Sequence, residues 1–251
     1  MGKVALFLIA FCAVQSGFAY SSADSRISIK PESQAAFHAG TFEYIFQLYD
    51  NVEKKLLTEQ DLAESHTKKL HFITYDSSLK EFSHVHPAFD GHFWKVELNL
   101  PVNGKYVVWN QGTLLDGTEF SSVIQASIID GLPENPILPL EDLRKASDGQ
   151  TEFELAKTKI RAGKMVMLNF KVIRSDGATP IMEPYLGALA HVIATPSNGT
   201  ELIHVHPMQG NATNTGMFHA TFPKEGAYKL WVQFIEHAEL KTIPLSVIVF
   251  K

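Results

Sequence analysis

Along most of the chain, apolar and polar residues alternate in short runs. Thr41 to Tyr49 places Phe42, Tyr44, Phe46 and Leu48 on one side, and Lys164 to Ile173 does the same with Val166, Leu168, Phe170 and Val172. A two-residue period of this kind predicts strands with one buried face. The runs are rich in Val, Ile, Phe, Tyr and Thr. They are punctuated by Asp90-Gly91, Asn103-Gly104, Asp116-Gly117, Asp176-Gly177 and Asn198-Gly199, all favoured turn pairs. Only Leu57 to Lys69 and Leu140 to Ala146 leave room for a helical turn or two. About seven strands per hundred residues predicts antiparallel Greek-key sandwiches.

The pattern occurs twice. His71 is followed by His84, His86 and Pro87, and His191 by His204, His206 and Pro207, at the same offsets and 120 residues apart. Pro101-x-x-Gly104-x-Tyr106-x-x-Trp109 recurs as Pro223-x-x-Gly226-x-Tyr228-x-x-Trp231. Gly40 and Gly163 open the equivalent strands. Landmarks repeated in one order indicate an internal duplication. Between the copies lies a stretch with Pro133, Pro136 and Pro139, suited to a stiff connector. The expected organisation is a sandwich over residues 25–129, a linker over 130–149 and a second sandwich over 150–251.

The first residues read differently. Lys3 precedes an apolar run from Val4 to Val14, and Gly17-Phe18-Ala19 supplies small residues for cleavage. Residues 1–19 are therefore expected to be a signal peptide, and the protein to be periplasmic or secreted. The single cysteine, Cys12, lies in that segment, so neither a disulfide nor a thiolate metal site is expected in the mature chain. The net charge of the full sequence, −5, gives no electrostatic reason to expect nucleic acid as a partner, and no later stretch is long enough for membrane insertion as a helix.

Candidate chemistry rests with the histidines. His71 starts one strand and His84 and His86 end the next. A turn at Ser77-Ser78 sets His71 opposite His84, and a shift of one residue sets it opposite His86. In either register the three imidazoles share one face, because directly opposed residues point the same way and residues two apart do too. The second copy repeats this with His191, His204 and His206. Pro87 and Pro207 are expected to end ladder pairing there. Three imidazoles without carboxylates suit copper or zinc rather than calcium, magnesium or manganese. Met208, His66, His92 and His219 are weaker candidate ligands. Against this, Ile73, Phe82, Ile193 and Leu202 share the histidine face while Leu70, Phe72, Val85 and Val205 occupy the other. Apolar residues on both faces are equally expected if the imidazoles are packing elements, or are buried between two domains.

On His84-Val-His86-Pro87, His204-Val-His206-Pro207, Pro101 to Tyr106 and Pro223 to Tyr228, the chain resembles a group of exported, largely uncharacterised bacterial proteins with a duplicated His-x-His-Pro β-sandwich. At fold level it is similar to periplasmic copper carriers with immunoglobulin-like or cupredoxin-like sandwiches. The resemblance implies an all-β fold of two such tandem sandwiches. The duplicated histidine triplets make copper (or zinc) buffering, transport or delivery the leading function, with a membrane transporter or another periplasmic protein as recipient. The alternative is a non-catalytic interaction module for protein or glycan with structural histidines. No nucleophile or phosphate-loop motif suggests an enzyme. The repeated Tyr and Trp read as architecture, Tyr106 and Tyr228 as corner tyrosines of a sandwich.

Overall fold

The computed structural model describes residues 26–33, 36–208 and 214–251, with His204 and His206 described by backbone alone. The expected signal peptide, residues 1–19, lies outside the described residues. The N-terminal strands are β1 (Ile27–Pro31), β2 (Phe37–His38), β3 (Gly40–Asp50), β4 (Lys55–Leu57), β5 (Leu62–Ala63), β6 (Leu70–Asp76), β7 (Phe82–Val85), β8 (Ala88–Phe89), β9 (Trp94–Leu100), β10 (Gly104–Leu114) and β11 (Glu119–Ile129). The C-terminal strands are β12 (Lys145–Asp148), β13 (Thr151–Leu155), β14 (Ile160–Arg161), β15 (Met165–Arg174), β16 (Met182–Glu183), β17 (His191–Pro196), β18 (Ile203–Met208), β19 (Thr215–Thr221), β20 (Gly226–Glu236) and β21 (Glu239–Phe250).

The N-terminal strands form two sheets, β1-β3-β9-β8 with β4 on β3, and β2-β11-β10-β6-β7 with β5 on β10. Their inner faces enclose one core: Ile27, Tyr44, Phe46 and Leu98 from the first sheet meet Phe72, Tyr106, Val108 and Ile124 from the second. Alternation within β9, where Trp94, Val96, Leu98 and Leu100 are buried, shows the two-residue period at work. The C-terminal strands build an equivalent sandwich from one continuous ladder, β12-β13-β15-β19-β18-β17-β20-β21-β14. It folds over Phe153, Leu168, Phe218, Val232 and Val247. The fold is thus all-β and antiparallel apart from the short parallel pairs β2–β11 and β14–β21, an immunoglobulin-like sandwich arrangement. No helix among the described residues is long and apolar enough to cross a membrane.

Corner tyrosines occur in both halves: the Tyr106 hydroxyl donates to the Val102 carbonyl at 3.1 Å, and Tyr228 to Lys224 at 3.0 Å. Trp109 and Trp231, on the opposite face, are buried. They therefore present no ring to an external sugar.

Of the two segments with room for helix, Leu57 to Lys69 holds one 3-10 turn, Glu59–Asp61, capped by Thr58, and Leu140 to Ala146 holds none. Two expectations differ from the structure. The segment read as linker to residue 149 contains β12, which pairs with β13 across the tight turn Gly149-Gln150. Gly149 takes φ +59°, so Asp148-Gly149 is a hairpin signal of the kind recognised elsewhere. Pro207 does not end its strand: it pairs with Phe218 inside β18, which passes from β17 to β19 and joins the two layers. In the first half the same crossing breaks the strand at His86-Pro87, between β7 and β8.

Candidate metal centre

Alternation along β6 divides its side chains. Leu70 and Phe72 enter the N-terminal core, whereas His71, Ile73 and Tyr75 face the C-terminal strands. The β6–β7 register sets Ile73 against His84 and Phe72 against Val85, which brings His71 level with His86 at the end of the ladder. In the second half Ile193 opposes His204 and Val192 opposes Val205, the same register. The His71, His84 and His86 ring centroids lie 5.4, 5.0 and 5.0 Å apart. One nitrogen from each falls within 4.8 Å of the others.

The hydrogen bonds orient these rings. Ser65 and Lys68 close a tight turn, with His66 and Thr67 at φ +49° and +62°, the paired positive values of a type I′ geometry. The turn's Ser65 carbonyl contacts His71 Nε2 at 3.1 Å. A carbonyl only accepts, so His71 carries its hydrogen on Nε2 and, as a neutral ring, presents a lone pair on Nδ1. His84 Nδ1 lies 2.7 Å from Gln233 Oε1, whose amide nitrogen is engaged by Thr242 Oγ1 at 3.2 Å. With the amide in this orientation, His84 donates from Nδ1 and its lone pair is on Nε2. These two lone-pair nitrogens, His71 Nδ1 and His84 Nε2, face one another at 3.1 Å. Two nitrogens bonded to one tetrahedral ion at 2.0–2.1 Å would stand about 3.3 Å apart. His86 Nε2 adds a buried nitrogen with no hydrogen-bond partner among the described residues. Three neutral imidazole nitrogens would suit a borderline cation, and two of the rings, His71 and His84, have their other nitrogen on an acceptor.

Electrostatics keeps the rings neutral. Burial pushes the His84 imidazole down to about 3, the neighbouring histidines lower it further, and the Gln233 bond opposes them. Burial, then His71, lowers His86 to about 4. Burial, then His66, lowers His191 to about 4. Each is deprotonated at neutral pH and available to a metal.

The second half repeats the orienting turn. Tyr185 and Ala188 bridge around Leu186 and Gly187, both at positive φ, and the Tyr185 carbonyl contacts His191 Nε2 at 2.8 Å. His191 lies against the first half: its ring is 5.2 Å from that of His66, which is 6.2 Å from that of His71. A cavity of about 100 Å³ between the halves is lined by His66, His71, His84, Gln111, Glu119 and His191. The side chains of His204 and His206 lie outside the described residues. The other candidates stand apart: His92 is exposed in the turn after β8, and its carbonyl accepts from Gln47. Met208 is 41 % exposed and level with Met217. His219, level with His206 in the β18–β19 register, lines a different groove with Met165 and Glu201.

Beneath the histidines the halves share a third apolar cluster of Ile73, Tyr75, Leu79, Trp109 and Trp231, flanked by Phe82, Ile193 and Leu202. Trp231 stacks on Phe82 at 4.4 Å and Tyr75 at 5.4 Å. The Tyr75 hydroxyl accepts from Trp109 Nε1 at 2.8 Å and donates to the Gly199 carbonyl at 3.1 Å. Sequence reasoning missed Tyr75, the orienting carbonyls of Ser65 and Tyr185, and Gln233. One signal was present: Gln111 and Gln233 each stand two residues after the repeated tryptophan.

Comparison with solved structures gives distant likenesses. The Escherichia coli adhesin FdeC matches at 14 % identity and TM-score 0.29, over 90 % of this chain and 64 % of that one. The chain thus spans under two thirds of that adhesin's length. The D00-D0 domain of intimin matches at 12 % identity and TM-score 0.26, over 90 % of this chain and all of that one. The fibronectin(III)-like modules of Clostridium thermocellum CbhA match at 12 % and 0.22, over 88 % and 93 %. No curated protein matches the chain. Residues 145–250, the segment from β12 through β21, match a family model described as a domain of unknown function, DUF8832.

Proposed function

We propose that this is an exported, non-catalytic β-sandwich protein that binds copper or zinc through His71, His84 and His86, with His191 beside them. Buffering or delivery of the ion to a membrane transporter or another exported protein is the role that follows. The observation that carries this reading is the pair of nitrogens His71 Nδ1 and His84 Nε2, facing at 3.1 Å beside His86 Nε2, which has no hydrogen-bond partner among the described residues. Two lone pairs so placed repel one another, and a cation between them would relieve that repulsion. The test is the copper and zinc content of untagged protein, followed by calorimetric titration of wild type and the His84→Ala/His86→Ala variant. Binding near neutral pH that is lost in the variant, with the β-fold intact, supports the reading.

A second reading is a non-catalytic interaction module, with the histidines as packing elements between sandwiches. It is favoured by the hydrogen bonds that His71, His84 and His191 make to protein atoms and by the aromatic cluster beneath them. Unchanged metal affinity together with a large fall in melting temperature in the double variant would select it.

A further inference from the structure

Gln233 belongs to β20, a C-terminal strand, yet its hydrogen-bond partner His84 is on β7, 149 residues earlier. It is 3 % exposed, and within its own half it stands level with His191 and opposite Thr242. A buried amide in a strand otherwise filled with Leu230, Val232 and Phe234 needs partners for its polar atoms, and it has two. Thr242 Oγ1 takes the amide nitrogen and His84 Nδ1 takes the oxygen.

We infer that Gln233 is a positioning residue for the metal site: contributed by one half of the chain, it fixes the tautomer of a ligand contributed by the other. An isolated imidazole exchanges its hydrogen between Nδ1 and Nε2. Held at 2.7 Å by an acceptor on Nδ1, His84 keeps its hydrogen there and turns its Nε2 lone pair toward His71 Nδ1. The ligand geometry therefore exists only while the two halves are docked, and ion affinity reports that docking. The counterpart Gln111 stands level with His71 and donates to Ser121 Oγ at 3.3 Å within its own half.

This inference rests on the metal reading above, so its test has one arm that needs no metal. Gln233→Met keeps the length of the side chain and removes the acceptor; Gln233→Glu restores an acceptor at the same place. In metal-free protein, long-range proton–nitrogen spectra should show wild-type His84 as the Nδ1–H form, Gln233→Met as a mixture, and Gln233→Glu again as Nδ1–H. In competition with a chromophoric chelator for zinc or cuprous ion, Gln233→Met should bind about 10- to 100-fold more weakly, the usual cost of losing a partner behind a ligand. Gln233→Glu should return to wild-type affinity or better. Wild-type tautomer and affinity in Gln233→Met would overturn the inference, as would a loss of affinity that Gln233→Glu fails to restore. Wild-type protein that takes up neither ion, with the tautomer change intact, would overturn the metal reading and leave Gln233 as the group that orients His84.

Discussion

Metal-free protein should lose stability as the medium acidifies from pH 6.5 toward 5, before the carboxylates contribute. The folded state holds His84 at about 3 because burial disfavours its charged form, whereas the unfolded chain has the ordinary value of 6.5. Between those values the unfolded state binds a proton that the folded state refuses. The stabilising contribution is therefore complete above pH 6.5 and is lost as pH falls toward 3. At pH 5 the unfolded imidazole is about 97 % protonated and the folded one about 1 %, which costs about 2 kcal/mol from His84 alone. His86 and His191, both lowered to about 4, act in the same direction. Asp90 and Asp116 are held below the usual carboxylate range, Asp90 by the Phe93 N–H and Lys95 and Asp116 by Arg26 and Thr118. Carboxylates of the unfolded chain begin to take up protons near pH 5, so the window from 6.5 to 5 isolates the histidines. The assay is urea unfolding at pH 7.5, 6 and 5 in the presence of a chelator, on wild type and on His84→Leu. The variant should lose about 2 kcal/mol less than wild type between pH 7.5 and 5. A wild-type stability that is flat over that interval, or an identical slope in the variant, refutes the claim that His84 is kept neutral by burial.

Three further outcomes follow from buried polar atoms. Tyr75→Phe should cost about 2–3 kcal/mol in urea unfolding, because it removes two hydrogen bonds and strands the Trp109 Nε1 hydrogen in an apolar cluster; a loss below about 0.5 kcal/mol means the indole finds another acceptor. Asn110→Val puts into the first half what the second carries as Val232, and Asn110 is fully buried with neither amide atom hydrogen-bonded among the described residues. Thermal melting should show it neutral or stabilised, and a loss above about 1 kcal/mol would indicate a water held there. Tyr106→Phe and Tyr228→Phe should each cost about 1 kcal/mol by chemical denaturation, the worth of one corner hydrogen bond, with near-zero loss in both contradicting the corner role.

Local order was legible in the chain because it has local causes. Alternation in Thr41 to Tyr49 and in Lys164 to Ile173 reappears as β3 and β15, with buried residues at every second position. The histidine face followed from period two alone. Register did not, because turns centred at Ser77-Ser78 and one residue later differ little in sequence preference; the observed choice has Leu79 at φ +62° and Asp76 accepting from Lys80 and Glu81. Asp148-Gly149 was read as linker because prolines before it drew the boundary too far along. Least legible was Gln233. Its partner is set by how one sandwich meets the other, and a strand pattern carries no information on that beyond the presence of a second apolar face.

That second face is where the duplication becomes consequential. Tyr75 and Thr195 are counterparts, 120 residues apart, and their hydroxyls lie 3.3 Å from one another. A residue that touches its own counterpart sits near the axis relating the two copies, where identical side chains must share one space. One copy has the large ring, which stacks on Trp231, and the other has a threonine that gives way to it. The interface is therefore asymmetric at Tyr75 and Thr195. Gln233, which reaches across it to His84, makes the docking of the two halves decide which nitrogen of that imidazole faces His71.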